Sequence, residues 1–388
     1  MRKLIGRTLF VFLLAFPAFG QETRTEEIEQ AKTAKAATLH AEDREKGDVI
    51  ITRLEHIFMP APPAFSPTAG DFRQGAGFPL GVAFTMPAMR SGLWKTEAAW
   101  STNNFKQAHT MVEFPPLAGG HLNIIGDAKW NDAPDLDFFG LGNLSSRQSQ
   151  TRYGLRWAEA ESQINAHTYR WLRFGAGASF IGTHSDKKRG PAFAEADLPG
   201  AGARVDLIDA RVSAAIDTRE SPGYTRRGGF YGAILHRYQD PDGKYTFNRT
   251  ELDARQFFPI LHDNWILALQ GRADVTKAAG NQAVPYFMLP YVGGRDTLPG
   301  YDAYRFTGRN SLLLRSELRW TASPLLDMAV FFGEGKVAPR VEDLDLHHLH
   351  SNVGIGARFH GSSFTALRLE ITHSVEGWYF TAAHSISF

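Results

Sequence analysis

The chain has 388 residues, 43% of them hydrophobic, with 42 basic against 41 acidic side chains and no cysteine. That apolar share is too high for a disordered chain, and the balanced charge offers no polyanion-binding surface, so no nucleic-acid partner is expected. The missing thiols exclude a disulfide scaffold, a thiolate zinc site and a cysteine nucleophile.

In chain order, Arg2, Lys3 and Arg7 precede the apolar run Leu9 to Phe16, Pro17 interrupts it, and Ala18-Phe19-Gly20 supplies the small residues of a cleavage site. Residues 1–20 therefore read as a secretory signal peptide and the protein as exported. Cleavage takes three basic residues and leaves 39 basic against 41 acidic. Beyond residue 20 no apolar run reaches the ~18 residues that a membrane helix needs. Residues 21–56 are expected to be a periplasmic leader, polar and charged with too few apolar side chains to bury a core. The stretch Met59-Pro60-Ala61-Pro62-Pro63 that follows suits neither a helix nor a central strand.

The remainder, 57–388, repeats one pattern: about ten alternating residues, then a turn. Leu312, Leu314, Leu318 and Trp320 share one face of a strand, with Arg315, Glu317 and Arg319 on the other; Leu367, Leu369 and Ile371 oppose Arg368, Glu370 and Thr372 in the same way. Residues 206–219 and 246–258 repeat it. Period two belongs to strands. A soluble sandwich would point the apolar face inward, whereas an outer-membrane barrel points it at lipid and fills the lumen with charge. Three features favour the barrel. Arg recurs with Asp or Glu on strand after strand. The tryptophans (94, 100, 130, 157, 171, 265, 320 and 378) sit near strand ends, as in an interfacial girdle. The chain also ends in an alternating strand bearing Trp378, Phe380 and a terminal Phe388, the pattern read by the barrel-assembly machinery, which is thus an expected partner in biogenesis. Fifteen strands can be counted back from the end, and an even number is needed for both termini to be periplasmic, so residues 57–70 supply a sixteenth. The expected fold is all-β: a 16-stranded antiparallel transmembrane β-barrel behind a short polar leader, in contact with outer-membrane lipid and lipopolysaccharide. Short turns at 322–324, 261–264 and 361–363 fall on the periplasmic side, and the longer segments 183–203, 277–308 and 336–350 on the outer side.

Val292-Gly293-Gly294-Arg295-Asp296-Thr297-Leu298-Pro299-Gly300-Tyr301, followed by Arg305-Phe306, Gly308-Arg309-Asn310 and the strand Leu313 to Trp320, resembles the signature region of the BamA/TamA-type barrels (the bacterial surface antigen family). Asp217-Thr218-Arg219 with Pro222 and Gly228-Gly229 is similar to that family's periplasmic turn, and Phe138 to Asn143 to one of its outer loops. The resemblance implies that the loop holding Gly293, Gly294, Leu298, Pro299, Gly300 and Tyr301 folds back into the lumen, where a loop arginine pairs with a strand aspartate. Here those two positions are Pro299 and Gly333, so both halves of the pair are replaced together. Two readings follow: Arg295 with Glu334 forms a displaced substitute, or Leu298 to Tyr301 is simply a tight turn, which Pro followed by Gly favours. Family members that fold or translocate proteins also carry periplasmic polypeptide-transport-associated domains. Residues 21–56 are too few for one, so a separate periplasmic partner protein is a candidate.

No G-x-S-x-G, Walker A, dinucleotide-binding or H-E-x-x-H motif occurs. His347, His348 and His350, with Asp343 and Asp345, form the densest polar cluster, read as an exposed loop with metal binding as the alternative. His384 and Ser385 fall on opposite faces of the last strand and cannot act as base and nucleophile. No cofactor and no enzymatic activity are expected. Two functions stay open: assembly or translocation through a weak seam between first and last strands, and a pore or structural barrel.

Overall fold

The computed structural model describes residues 63–383 apart from 90, 187–191, 193–197, 262–263 and 362–364. The expected signal peptide and leader, and Phe388, lie outside the described residues.

Among the described residues eighteen strands form: β1 Ala64–Thr68, β2 Pro79–Ala88, β3 Gly92–Ser101, β4 Lys106–Glu113, β5 Leu122–Phe138, β6 Thr151–Tyr169, β7 Leu172–Ser185, β8 Arg204–Asp217, β9 Gly228–Gln239, β10 Phe247–Leu261, β11 Trp265–Ala278, β12 Tyr291–Val292, β13 Phe306–Thr307, β14 Asn310–Ser323, β15 Leu326–Ala338, β16 His350–His360, β17 Thr365–Ser374 and β18 Gly377–Ala383. Sixteen of them make a single antiparallel sheet in which each strand pairs with its sequence neighbour, and β12 with β13 forms a separate small ribbon within the β11–β14 connection. The sixteen expected strands are all present. Within the described part of the expected first strand 57–70, Ala64–Thr68 pairs with β2.

Burial decides which face is inside. Val353, Ile355 and Ile371 are 47–55% exposed, whereas Glu317, Arg358, Arg368 and Glu370 are 1–2% exposed. Apolar side chains look out and ionic ones look in, the inverse of a soluble sandwich and the arrangement of a membrane barrel. Contacts across the interior bring distant strands together: the Tyr224 hydroxyl donates to Asp327 (2.6 Å), Thr365 to the carbonyl of Gly223, and Arg147 to Asp302.

The ends of β10, β14 and β16 that lead into short connections share one end of the sheet, and the ends of β7, β11 and β15 that lead into long ones share the other. Segment 218–227 is long for the short-loop end, and it tucks under the sheet. Asp217 holds Arg219 through two oxygens, at 2.9 Å each, and Thr218 and Gly229 close the turn with reciprocal hydrogen bonds. Pro134 sits inside β5, where the register to β6 shifts between Ala133 and Leu136; a bulge tolerates a residue that cannot donate to the ladder.

Two details depart from the sequence-based picture. Trp157 belongs to the inner face, under the guanidinium of Arg73 (5.1 Å), and takes no part in an interfacial girdle. The interior is also not ionic throughout. Towards the long-loop end Leu155, Leu207 and Phe247 point inward, because the β11–β14 connection supplies Tyr286, Phe287 and Met288 to cover them.

Candidate functional site

The β11–β14 connection, residues 279–309, folds into the lumen. After a short 3₁₀ turn at Tyr286–Met288, β12 and β13 pair Tyr291 with Thr307 and Val292 with Phe306, and the chain between them forms a tip. Glycine is needed where the tip reverses. Gly293 has φ +120°, and a Cβ there would stand 2.6 Å from the carbonyl oxygen of Asp302. Thr297 ties the turn by accepting from the Gly293 amide (2.9 Å) and donating to its carbonyl (3.0 Å).

The tip then lies on the inner faces of β15, β16 and β17. Leu298 is fully buried, and a Cβ on Gly333 would come within 3.1 Å of its Cδ1 and 2.5 Å of Asn352 Oδ1. Asn352 donates to the Pro299 carbonyl, Ser374 to the Gly300 carbonyl, and the Tyr301 hydroxyl to the Ser351 carbonyl (3.0 Å). The two positions at which the resemblance implied an arginine and an aspartate are therefore adjacent here, and Leu298 fills the space that the missing side chains leave. Gly300, at φ +110°, passes closely over Thr372 and Asn352.

The substitute pair Arg295–Glu334 does not form. Glu334 is in register with Leu314 and so belongs to the outer face, whereas Gly333, in register with Arg315, is on the lumenal face. The period of two puts Glu334 on the wrong side of the wall. Arg295 instead pairs with its neighbour Asp296 (3.4 Å), and its carbonyl accepts from Arg368. The charged anchor of the loop is Arg305, whose Nε donates to Glu376 (2.7 Å) and whose Nη1 donates to Ser145 (3.0 Å), with the guanidinium stacked over Phe306 at 4.4 Å. Both partners are nearly buried, at 5% and 12% exposure. Arg147 adds an outer clasp, bonded to Asp302 and to the Glu376 carbonyl. Sequence reasoning missed Glu376 because it sits in a two-residue turn 71 positions from Arg305, and nothing in local spacing marks it.

Beneath the tip lies an ionic cluster. Arg358 bridges Glu317 (2.5 Å) and Glu370 (2.6 Å), Arg319 makes two bonds to Glu317, and Arg368 flanks Glu370 at 3.8 Å. With its side chains almost wholly out of water, each charge depends on its partners.

The outer loop Phe138 to Asn143 docks on the same assembly. The Gly142 amide donates to the Thr307 carbonyl (2.8 Å), Asn143 accepts from the Val337 amide (3.0 Å), and the Asn143 carbonyl faces His350 Nε2 (2.8 Å). His350, stacked on Phe306 at 3.7 Å, is thus part of this packing, while His347 contacts Asp345. Among the described residues no three His, Asp or Glu side chains converge as a metal site.

At the sheet edges, Trp378 and Phe380 project outward and are largely exposed. Among the described residues no hydrogen-bonded register joins β1 to β18, and β1 contributes five residues. Thr68 at its end donates to Glu97 on β3 (3.1 Å), and Glu97 is in turn held by Lys95 and His109.

No family model and no curated protein matches the sequence. Solved structures do match. BamA from Haemophilus ducreyi lacking POTRA domains 1–3 superposes with a TM-score of 0.60 at 12% identity, covering 83% of this chain and 68% of that one. CdiB from Escherichia coli gives 0.53 at 11%, with 84% and 62% covered, and CdiB from Acinetobacter baumannii 0.50 at 11%, with 80% and 56% covered. The chain thus spans about three fifths of the length of the CdiB structures. Sixteen strands in sequence order, charge turned inward and a lumen loop clasped to β15–β17 agree with these likenesses: this chain has the fold of a BamA-type outer-membrane β-barrel.

Proposed function

We propose that the protein resides in the outer membrane and works in the assembly or translocation of other proteins, by opening a weak seam between β1 and β18. The observation that carries the reading is the mismatch of the two edges. β1 offers five residues, one of them Pro67, which has no amide hydrogen, while interior pairs such as β10–β11 run over fourteen. An edge so poorly supplied with donors is easily parted, and a parted edge is a template for an incoming strand. The buried loop tip supports the same reading. Its anchors lie on β15–β17 and the β17–β18 turn, so that side of the seam is braced while β1 is held to the sheet by β2 and Thr68. The mechanism is non-enzymatic, and a periplasmic partner protein would deliver the cargo.

Because the natural chain has no cysteine, the test is direct. One cysteine is introduced within 64–68 and one within 377–383, and the oxidised and reduced proteins are compared in proteoliposomes for their effect on the folding rate of a urea-unfolded outer-membrane barrel. Acceleration that vanishes on crosslinking and returns with reductant is the expected result; no acceleration in either state rejects the proposal. The second reading, a pore, is favoured by the partly hydrated ion pairs Arg211–Glu161 and Arg255–Asp253 along the opposite wall. Steady unitary conductance in planar bilayers that is unaffected by the crosslink would favour it.

A further inference from the structure

Between the loop 279–309 and the inner faces of β5–β10 lies a cavity of about 310 Å³, within the range of small-molecule sites. Its walls are of two kinds. Trp157, Tyr238, Tyr286 and Tyr291 contribute rings, and Arg73, Arg211 and Arg249 are matched in number by Asp137, Glu159 and Asp209. Most of these charges already have partners. Arg211 pairs with Glu161, Arg249 donates to the Met288 carbonyl, Asp137 accepts from Arg152 and Gln150, and Glu159 accepts from Trp157 Nε1 (3.1 Å). Asp209 is 2% exposed; one carboxylate oxygen faces His236 Nδ1 at 2.9 Å, and the other has no hydrogen-bond partner among the described residues. Burial pushes the Tyr286 and Tyr291 hydroxyls above the usual phenol range, so both stay neutral, and the Tyr286 hydroxyl donates to Ser185 (3.4 Å).

Three classes of ligand can be compared on this lining. A wholly apolar ligand would strand six ionic side chains away from water. A charged ligand would enter a site whose own charges cancel, and would have no counter-charge there. A neutral molecule with apolar C–H faces for the rings and hydroxyls around its edge satisfies both kinds of wall. Its hydroxyls can donate to the unpaired oxygen of Asp209 and accept from tyrosine and guanidinium N–H and O–H groups. We propose that this cavity binds a neutral pyranose, free or as a unit of an envelope glycan, stacked against Trp157 and hydrogen-bonded to Asp209.

The test uses the full chain in a zwitterionic, non-glycosidic detergent, because a maltoside detergent would compete. Ligand-observed saturation-transfer NMR with methyl α-D-glucopyranoside is expected to show transfer to the ring C–H protons, with binding at least about tenfold tighter than for glucuronate or glucosamine. Trp157→Leu and Asp209→Asn should abolish the transfer, and Trp157→Phe should retain part of it, each variant being required to keep its heat-modifiable band on electrophoresis. Comparing maltotriose with lipopolysaccharide, and lipopolysaccharide with lipid A lacking the core and O-chain sugars, separates the free from the envelope source. Absence of transfer with every neutral sugar, equal transfer in Trp157→Leu and Asp209→Asn, or equal affinity for the charged sugars would each overturn the proposal.

Discussion

On the lumenal wall built from β14 to β17, the side chains of Glu317, Arg319, Arg358 and Arg368 are between 0 and 5% exposed, whereas on the wall from β6 to β11 those of Glu161, Arg211, Asp253, Arg255 and Arg272 are between 16 and 39% exposed. Both walls carry the same alternation of arginine with carboxylate. The difference is the loop tip, which covers one wall and leaves these ion pairs of the other in contact with water, while Asp209 on β8 is buried near the 286–288 turn. On the covered wall a charge that loses its partner is stranded; on the hydrated wall water takes the partner's place.

Glu317→Gln takes the shared counter-charge from Arg358 and Arg319, and should destabilise the barrel by about 3–5 kcal/mol, read from the urea midpoint of the heat-modifiable band in detergent. A loss below 1 kcal/mol would mean that water reaches the cluster. Arg305→Met should cost about 2–3 kcal/mol and release the loop tip, and combining it with Glu376→Gln should cost less than the sum of the single changes. By contrast Arg295→Gln, at a half-exposed residue paired to its neighbour Asp296, should stay within about 0.5 kcal/mol, and it should show no coupling to Glu334→Gln. Gly333→Ala sets a methyl against Leu298 and Asn352 and should cost about 1–3 kcal/mol, with faster proteolysis of the loop. On the hydrated wall Arg272→Gln should cost no more than about 1 kcal/mol, an effect that high salt erases.

The smallest effect concerns pH. Asp345 in the exposed loop 339–349 accepts from Lys336 (2.7 Å), and this bond, with the His347 amide, holds its carboxyl well below the ordinary range of about 4. A depressed carboxylate contributes order at pH values above its unfolded pKa and loses it only as pH falls through the lower folded value. Amide exchange in 343–349, corrected for intrinsic rate, should therefore be unchanged from pH 7 down to about pH 4. An increase in that window would place the Lys336–Asp345 contact outside the solution ensemble.

Much of the fold was legible because period two is a local property. Leu312, Leu314 and Trp320 against Arg315, Glu317 and Arg319 identify a strand without reference to any other residue, and sixteen such segments count a barrel. The positions of Gly293, Leu298, Pro299, Gly300 and Tyr301 in a lumenal loop were legible through the resemblance. The loop's anchoring charges were not. Arg295 and Glu334 looked suitable in type and order, but Glu334 is one residue out of phase with the inner face, and the partner of the loop, Glu376, meets Arg305 from 71 positions away. Trp157 misled for a related reason: a tryptophan near a strand end has the same sequence signature whether it faces lipid or a cavity.

The sequence by itself determined the strand count, the order of strands and which side chains share a face, since these depend on alternation and on turns a few residues long. Tertiary structure alone decided which charges pair, which wall is dry and where a cavity survives. Those outcomes depend on the path of one connection, residues 279–309, through the lumen, and its contacts join residues 50 to 160 positions apart, a range over which spacing carries no information.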